Sequence, residues 1–214
     1  MSEFASAQPR TWRPIALWSA SILLAIGLAW FVGAVVVPVW QVERAMAKYM
    51  GGYGHYPEPN YNLSSVIEDL GGEPAAARKI SVYMTLPDCV ARRKVMAFYP
   101  LKLCGAAGVP PLRALLEKGD DVRRLQAIGE LQYIAFTEDS AVSALTSAAR
   151  DRSDLVRCEL AKALGFVACE RMRAGRPLPK DLMVTLTSML ADPDREVRAA
   201  AEALKMIRGE EPPK

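Results

Sequence analysis

The sequence predicts an all-α protein in which a single membrane-spanning helix near the N-terminus precedes a small α-solenoid of about four helical pairs. Three observations in the 214 residues predict it: an uncharged run between Arg13 and Glu43, apolar positions at helical spacing from Leu63 onward with no period-two alternation, and internal similarity among three later segments.

The run IALWSASILLAIGLAWFVGAVVVPVW contains no Asp, Glu, Lys or Arg. Ile15 to Val39 alone are 25 residues. At ~1.5 Å of rise per residue they reach roughly 37 Å, more than the ~30 Å hydrocarbon core. A secretory signal has an apolar region of only ~7–15 residues. Cleavage after Ala34 would also leave VVVPVW as an exposed apolar start, so an uncleaved anchor is the expected form. Trp12 and Trp40 suit the two interfaces, and Pro38 lies near the exit, where losing one backbone donor costs little. Ala25, Ala29 and Gly33 recur at four-residue steps and form a small-xxx-small face suited to close helix packing. Arg10 and Arg13 on one side nearly balance Arg44 and Lys48 on the other, which leans only slightly to an N-terminus inside.

The expected organisation is a tail over 1–13, the span over 14–42, a juxtamembrane segment and linker over 43–62, the repeat domain over 63–208 and a tail over 209–214. VERAMAKYM continues the helix toward the interface. GGYGHYPEPNYN, dense in Gly, Pro and Asn, holds neither helix nor central strand. Its Tyr53, Tyr56 and Tyr61 read as solvated linker residues, and His55, the only histidine, as inert.

Charge excludes one class of partner. The first 50 residues contribute +2 of the net +3, leaving +1 from 23 basic and 22 acidic residues in the rest. Nucleic-acid binding would require a more basic, clustered surface. About 160 residues suffice for one domain with a substantial core.

Three segments of that domain read alike: LRALLEKGDDVRRLQAIGEL, VSALTSAARDRSDLVRCELAKALG and MVTLTSMLADPDREVRAAAEAL. Each is a helix, a polar turn, then Val-Arg opening a second helix, with Val122, Val156 and Val197 spaced by 34 and 41 residues. Asp154 and Asp194 fall where a carboxylate caps free backbone N–H groups. Val156, Leu160, Ala163, Leu164 and Val167 share one helical face, as do Val197, Ala200, Ala201, Leu204 and Ile207. An acid precedes each arginine by six residues: Glu117 and Arg123, Asp151 and Arg157, Asp192 and Arg198. A pair that recurs with the repeat is expected to form a structural ladder of ion pairs from one repeat to the next, rather than a set of catalytic carboxylates.

These segments resemble HEAT-type repeats, in particular the short variety named after phycobilisome lyases. DRSDLVRCELAKALG carries the closest likeness, and GEPAAARKISVYMTLPDCVARRKVMAFYPLKLCGAAGVPPL resembles a degenerate first repeat in which Ala91 replaces the arginine and Pro100 kinks or ends the second helix. The resemblance covers about Leu63 to Arg208 and implies a solenoid that presents a surface to a protein partner.

Cys158 and Cys169 are eleven residues apart on one predicted helix, ~16 Å of rise and beyond disulfide reach. Cys89 and Cys104 could bridge only if the chain reverses near Pro100. Buried apolar thiols are the default, and unpaired thiols favour a reducing compartment, which pulls against the N-inside lean. With no CxxC pair and no second histidine, neither a metal site nor a cofactor is expected.

The sequence therefore points to a non-enzymatic, membrane-anchored scaffold or adaptor whose partners are the bilayer and an unidentified protein, with no nucleic acid and no small-molecule substrate. An accessory single-pass subunit of a larger membrane complex, packed through Ala25, Ala29 and Gly33, is the alternative. A bilin-lyase-like enzyme stands third. Hydroxylases on similar repeats need histidine–glutamate metal pairs that His55 alone cannot supply.

Overall fold

The computed structural model describes residues 12–50, 63–86 and 98–202. Those residues are helical, with no strand among them. His55, Tyr53, Tyr56, Tyr61 and Cys89 lie outside the described residues, as do Leu204 and Ile207.

Helix α1 (Trp12–Phe31) runs through one wide turn (Val32–Val36) into α2 (Val37–Met50). The wide turn is closed by the Val37 N–H on the Val32 carbonyl, so this donor, one residue ahead of Pro38, still has its acceptor. From Ser21 to Gly33 every residue is exposed, Leu24 to 75% and Trp30 to 70%. The stretch Ser21–Tyr49 is long and apolar enough to cross a membrane.

The end of this helix does not stand free of the domain. Val42, Ala45 and Met46 are 0, 3 and 0% exposed, because α2 packs against α3 (Leu63–Asp69) and α4 (Glu73–Thr85). The buried Tyr83 hydroxyl donates to the Glu43 carboxylate, and the Lys48 ammonium donates to Asp69 at 2.9 Å. The helix thus continues past Val42 as the sequence suggests, and its last turns join the hydrophobic core. Between α3 and α4 the chain reverses at Gly71 and Gly72, with φ of 96° and 85°, a region L side chains rarely adopt. Their N–H groups close α3 on the Glu68 and Ile67 carbonyls, both at 2.9 Å.

The next segment is irregular. Helix α5 (Phe98–Leu101) passes into a tight helical stretch over Lys102–Gly108 that is broken at Gly105, where φ is 51°. Pro100, expected to kink or end a helix, stands within α5, the residues just before α5 lie outside the described ones, and the break comes at Gly105. Gly108 is required for a different reason: a Cβ there would sit 2.3 Å from the Leu101 carbonyl oxygen.

From Val109 three helical hairpins follow: α6 (Val109–Lys118) with α7 (Asp121–Ile134), α8 (Asp139–Ser147) with α9 (Asp154–Arg173), and α10 (Lys180–Met189) with α11 (Arg195–Ala201). The first helices pack in one layer, α6 on α8 on α10, and the second helices in another, α7 on α9 on α11. The predicted face of α9 is buried throughout, at Val156, Leu160, Ala163, Leu164 and Val167. On α11, Val197 and Ala201 are buried and Ala200 is half-buried.

Two glycine replacements should act in opposite directions. Gly108→Ala should destabilise the domain by about 1–3 kcal/mol by forcing a methyl onto a backbone carbonyl. Gly129→Ala, mid-helix in α7 with no atom within 4 Å of the added Cβ, should stabilise it by about 0.5–1 kcal/mol. Chemical denaturation of the two variants in detergent checks both signs.

Candidate interaction surfaces

The turns between paired helices repeat one hydrogen-bonded device. The second helices are capped at Asp120, Ser153 and Asp194, and four residues beyond each cap stands an arginine: Arg124, Arg157 and Arg198. Arg157 grips Asp192 of the next hairpin with two bonds, Nε to Oδ2 at 2.9 Å and Nη2 to Oδ1 at 3.1 Å. Its third donor reaches back to the Asp151 carbonyl at 2.9 Å. Arg124 does the same one hairpin earlier, with Nη2 on Asp151 Oδ1 at 3.0 Å and Nη1 on the Gly119 carbonyl at 2.9 Å. Arg198 holds the Asp192 and Pro193 carbonyls. Asp151 and Asp192 each also accept the N–H two residues on, both at 2.9 Å, which fixes the turn. The Asp192 carboxyl is held below its usual value chiefly by the Arg157 hydrogen bonds, and Arg157 is raised in return.

Of the predicted ladder residues, Asp151, Arg157 and Asp192 stand in it, Arg198 bonds backbone carbonyls of its own turn, and Glu117 and Arg123 take no part. Glu117 is exposed and bonded to Arg113 one turn away at 2.9 Å, and Arg123 lies 3.9 Å from the cap Asp120. The repeated Val-Arg is misleading here. Val156 and Val197 fall three residues after their caps and are buried, whereas Val122 falls two after its cap and is 64% exposed. Aligning the caps places Arg124 in the ladder. As for capping itself, Asp194 accepts from the Glu196 and Val197 N–H groups, while Asp154 is the first helical residue behind the cap Ser153 and accepts from Leu155.

A second arginine ties the same layers together. Arg171, buried in the last turn of α9, donates to the Ala135 carbonyl and to Asp139, both at 2.7 Å.

Outside the ladder, an aromatic stripe crosses consecutive elements. Tyr133 and Phe136 meet edge to face at 5.8 Å, and Phe136 and Phe166 at 5.6 Å. The Lys102 ammonium lies 5.4 Å over the Tyr99 ring and 5.0 Å over the Tyr133 ring, extending the stripe to α5. Tyr99, Tyr133 and Phe166 are exposed. Sequence reasoning missed this stripe. Its one signal was that Phe166 lies off the buried face of α9, where a bulky apolar side chain gains nothing from the domain's own core. Near Lys102, Glu130 is buried, and loss of solvent pushes its carboxyl up to about 7, with Lys102 partly opposing. An open recess of about 840 Å³ between α4 and α6 has a floor of small residues, Ala77, Ser81 and Ala114, edged by Arg78.

Ala25, Ala29 and Gly33 are exposed, and nothing lies within 4 Å of a Cβ built on Gly33. Cys104, Cys158 and Cys169 are free thiols, and burial pushes Cys104 up to about 11, leaving it protonated and inert. Among the described residues no group of three His, Cys, Asp or Glu side chains could hold a metal ion.

Breaking the ladder should cost more than its exposed neighbours suggest. Asp192→Asn should destabilise by about 1–3 kcal/mol by leaving the Arg157 fork without its carboxylate, whereas Glu117→Gln should stay within about 0.5 kcal/mol. Because the folded Asp192 carboxyl titrates below its ordinary 3.8, its contribution is present above that pH and lost as pH falls through the folded value. The gap between wild type and Asp192→Asn should therefore close in strong acid. Glu130 has the opposite sign. With a folded value of about 7 against an ordinary 4.5, its contribution is full below 4.5 and lost as pH rises through about 7. Glu130→Gln should thus be the more stable protein above neutrality, by about 1–3 kcal/mol in urea titrations.

No curated protein and no solved structure matches the chain. A family model described as HEAT repeats matches residues 109–205, the span from the first residue of α6 to just past α11. The match covers the three stacked hairpins with their arginine ladder, which are thus similar to HEAT repeats, a class that generally mediates protein–protein interaction and is typically non-catalytic.

Proposed function

We propose that the chain is a single-pass, membrane-anchored HEAT-repeat adaptor, with α1 in the bilayer and the solenoid displaying a protein-binding surface beside it. The observation that carries this is the aromatic stripe. Tyr99, Tyr133, Phe136 and Phe166 span successive elements of the stack, and exposed aromatics at such positions are the side chains that anchor interfaces. The anchor is supported by the exposed apolar length of α1, which an aqueous setting would penalise. The likeness to the phycobilisome-lyase variety rests above all on DRSDLVRCELAKALG, Asp151 to Gly165, and we read it as a feature of repeat type, without its enzymology.

A second reading, an accessory subunit packed within a larger membrane complex, draws on the smooth exposed face of Ala25, Ala29 and Gly33. Scrambling residues 15–39 at constant hydrophobicity separates the two. The adaptor keeps its partner, and the packed subunit loses it.

The chain should resist alkaline carbonate extraction from membranes, and a version lacking residues 14–42 should be released. Replacing Tyr133 and Phe166 together by alanine should lower recovery of the co-purifying protein about tenfold or more, as loss of an aromatic anchor does. The melting transition should be nearly unchanged, since both side chains are exposed. Undiminished recovery would refute the stripe as the binding surface.

A further inference from the structure

Where α2 leaves the proposed span it forms, with the first turn-back of the domain, a polar pocket of about 370 Å³ lined by Trp40, Gln41, Arg44, Ala45, Lys48 and Asp69. Its depth in the chain is informative. Trp40 is the last aromatic of the uncharged run, and Arg44 follows four residues later. At ~1.5 Å per residue Arg44 lies roughly 6 Å beyond Trp40, within the headgroup layer, which adds about 5–7 Å on each side of the hydrocarbon core.

The charges in the pocket are unequally satisfied. Lys48 and Asp69 neutralise one another at 2.9 Å. Arg44 makes no ion pair within 4 Å among the described residues, although its charge is felt at Asp69, and its guanidinium lies 5.3 Å over the Trp40 ring centroid. A cation–π contact holds the guanidinium near the indole, and its N–H groups can still bond a planar or tetrahedral oxyanion. Gln41, one turn away on the same lining, offers an amide donor. The pocket therefore carries one uncompensated positive charge, donor groups and an indole at the level of lipid phosphates.

We propose that this pocket binds the phosphate of an anionic phospholipid headgroup, with Arg44 as the principal donor, Gln41 as the second and Trp40 against the upper acyl chain. The inference rests on the reading of α1 as a membrane span. It adds a function to that helix: a lipid seated between α2 and Asp69 touches both the anchor and the first hairpin of the solenoid, and so sets how the domain sits on the membrane surface. Two properties favour a lipid over a free phosphate ion. The pocket opens beside an exposed indole that has apolar surface to cover, Trp40 being 57% exposed. It also carries a carboxylate, Asp69, which weakens a small multivalent anion more than a singly charged diester.

The test uses the full chain purified in mild detergent and transferred to the mass spectrometer under native conditions after titration with dioleoylphosphatidylglycerol, dioleoylphosphatidylcholine or inorganic phosphate. The wild type should retain phosphatidylglycerol about fivefold better than phosphatidylcholine, the difference expected of one basic side chain at an anionic surface. Arg44→Gln should abolish that preference. Arg78→Gln, which removes an exposed arginine of α4 outside the pocket, should leave it intact. Equal retention of the two lipids, an unchanged preference in Arg44→Gln, or displacement of phosphatidylglycerol by millimolar inorganic phosphate would each overturn the proposal. Failure of the underlying reading shows differently: a chain that alkaline carbonate extracts from membranes is not an anchored one, whatever lipids it retains.

Discussion

One helix has to satisfy two environments, and the rest of the architecture is arranged around that demand. From Ser21 to Gly33 the α1–α2 helix is exposed on every side, and by Met46 one face of it, Val42, Ala45 and Met46, is buried in protein while Arg44, Ala47 and Lys48 stay exposed. The change takes about three turns. It is made possible by α3 and α4, which cover Val42, Ala45 and Met46, and by Tyr83, which gives the Glu43 carboxylate a hydrogen bond as it enters the core. Leaving that carboxylate buried without a donor would cost more than the packing gains. The domain is therefore seated on the end of the apolar helix that we propose as its anchor, and a partner bound to the aromatic stripe would be held at a set position relative to α1.

Within the solenoid, apolar burial and polar registry have separate tasks. The alanine-rich faces of α9 and α11 permit close approach but specify little, because small apolar surfaces can slide over one another. Registry comes from Arg124, Arg157 and Arg198, each of which must find a turn carbonyl, while Arg124 and Arg157 also bind the aspartate of the following hairpin. A shift of one turn would leave a largely buried guanidinium unsatisfied. Arg171 adds a cross-tie from the end of α9 to the turn before α8. With the interior fixed in this way, Tyr133 and Phe166 are free to face outward.

Much of this is legible in the sequence. Length and absence of charge mark α1, because membrane crossing and helix rise are both set by simple geometry. The faces of α9 and α11 follow from 3.6-residue periodicity, and Asp151, Arg157 and Asp192 stand out because a device used twice leaves two copies. The misreadings have physical causes. Val-Arg repeats as letters and so points to Arg123, while the fold counts from the cap and uses Arg124. Burial of Val42, Ala45 and Met46 is invisible in the sequence because a helix end that enters lipid headgroups and one that enters a protein core carry the same residues, and only tertiary contact distinguishes them. The aromatic stripe depends on Tyr99, Lys102, Tyr133 and Phe166 meeting across elements, which no single periodicity reports.

The central claim is that the last turns of the long apolar N-terminal helix are a structural part of the helical domain, and it can be tested without knowing any partner. In lipid nanodiscs, hydrogen exchange of the full chain should show α4 protected, and Met46→Asp should accelerate exchange over Glu73–Thr85 by about a hundredfold. That corresponds to a loss of about 3 kcal/mol of local stability. Exchange in α9, which lies beyond the α6–α7 hairpin, should be unaffected. If α4 in the Met46→Asp protein exchanges at the wild-type rate, the α1–α2 helix and the solenoid are independent bodies, and the domain is not mounted on the end of that helix.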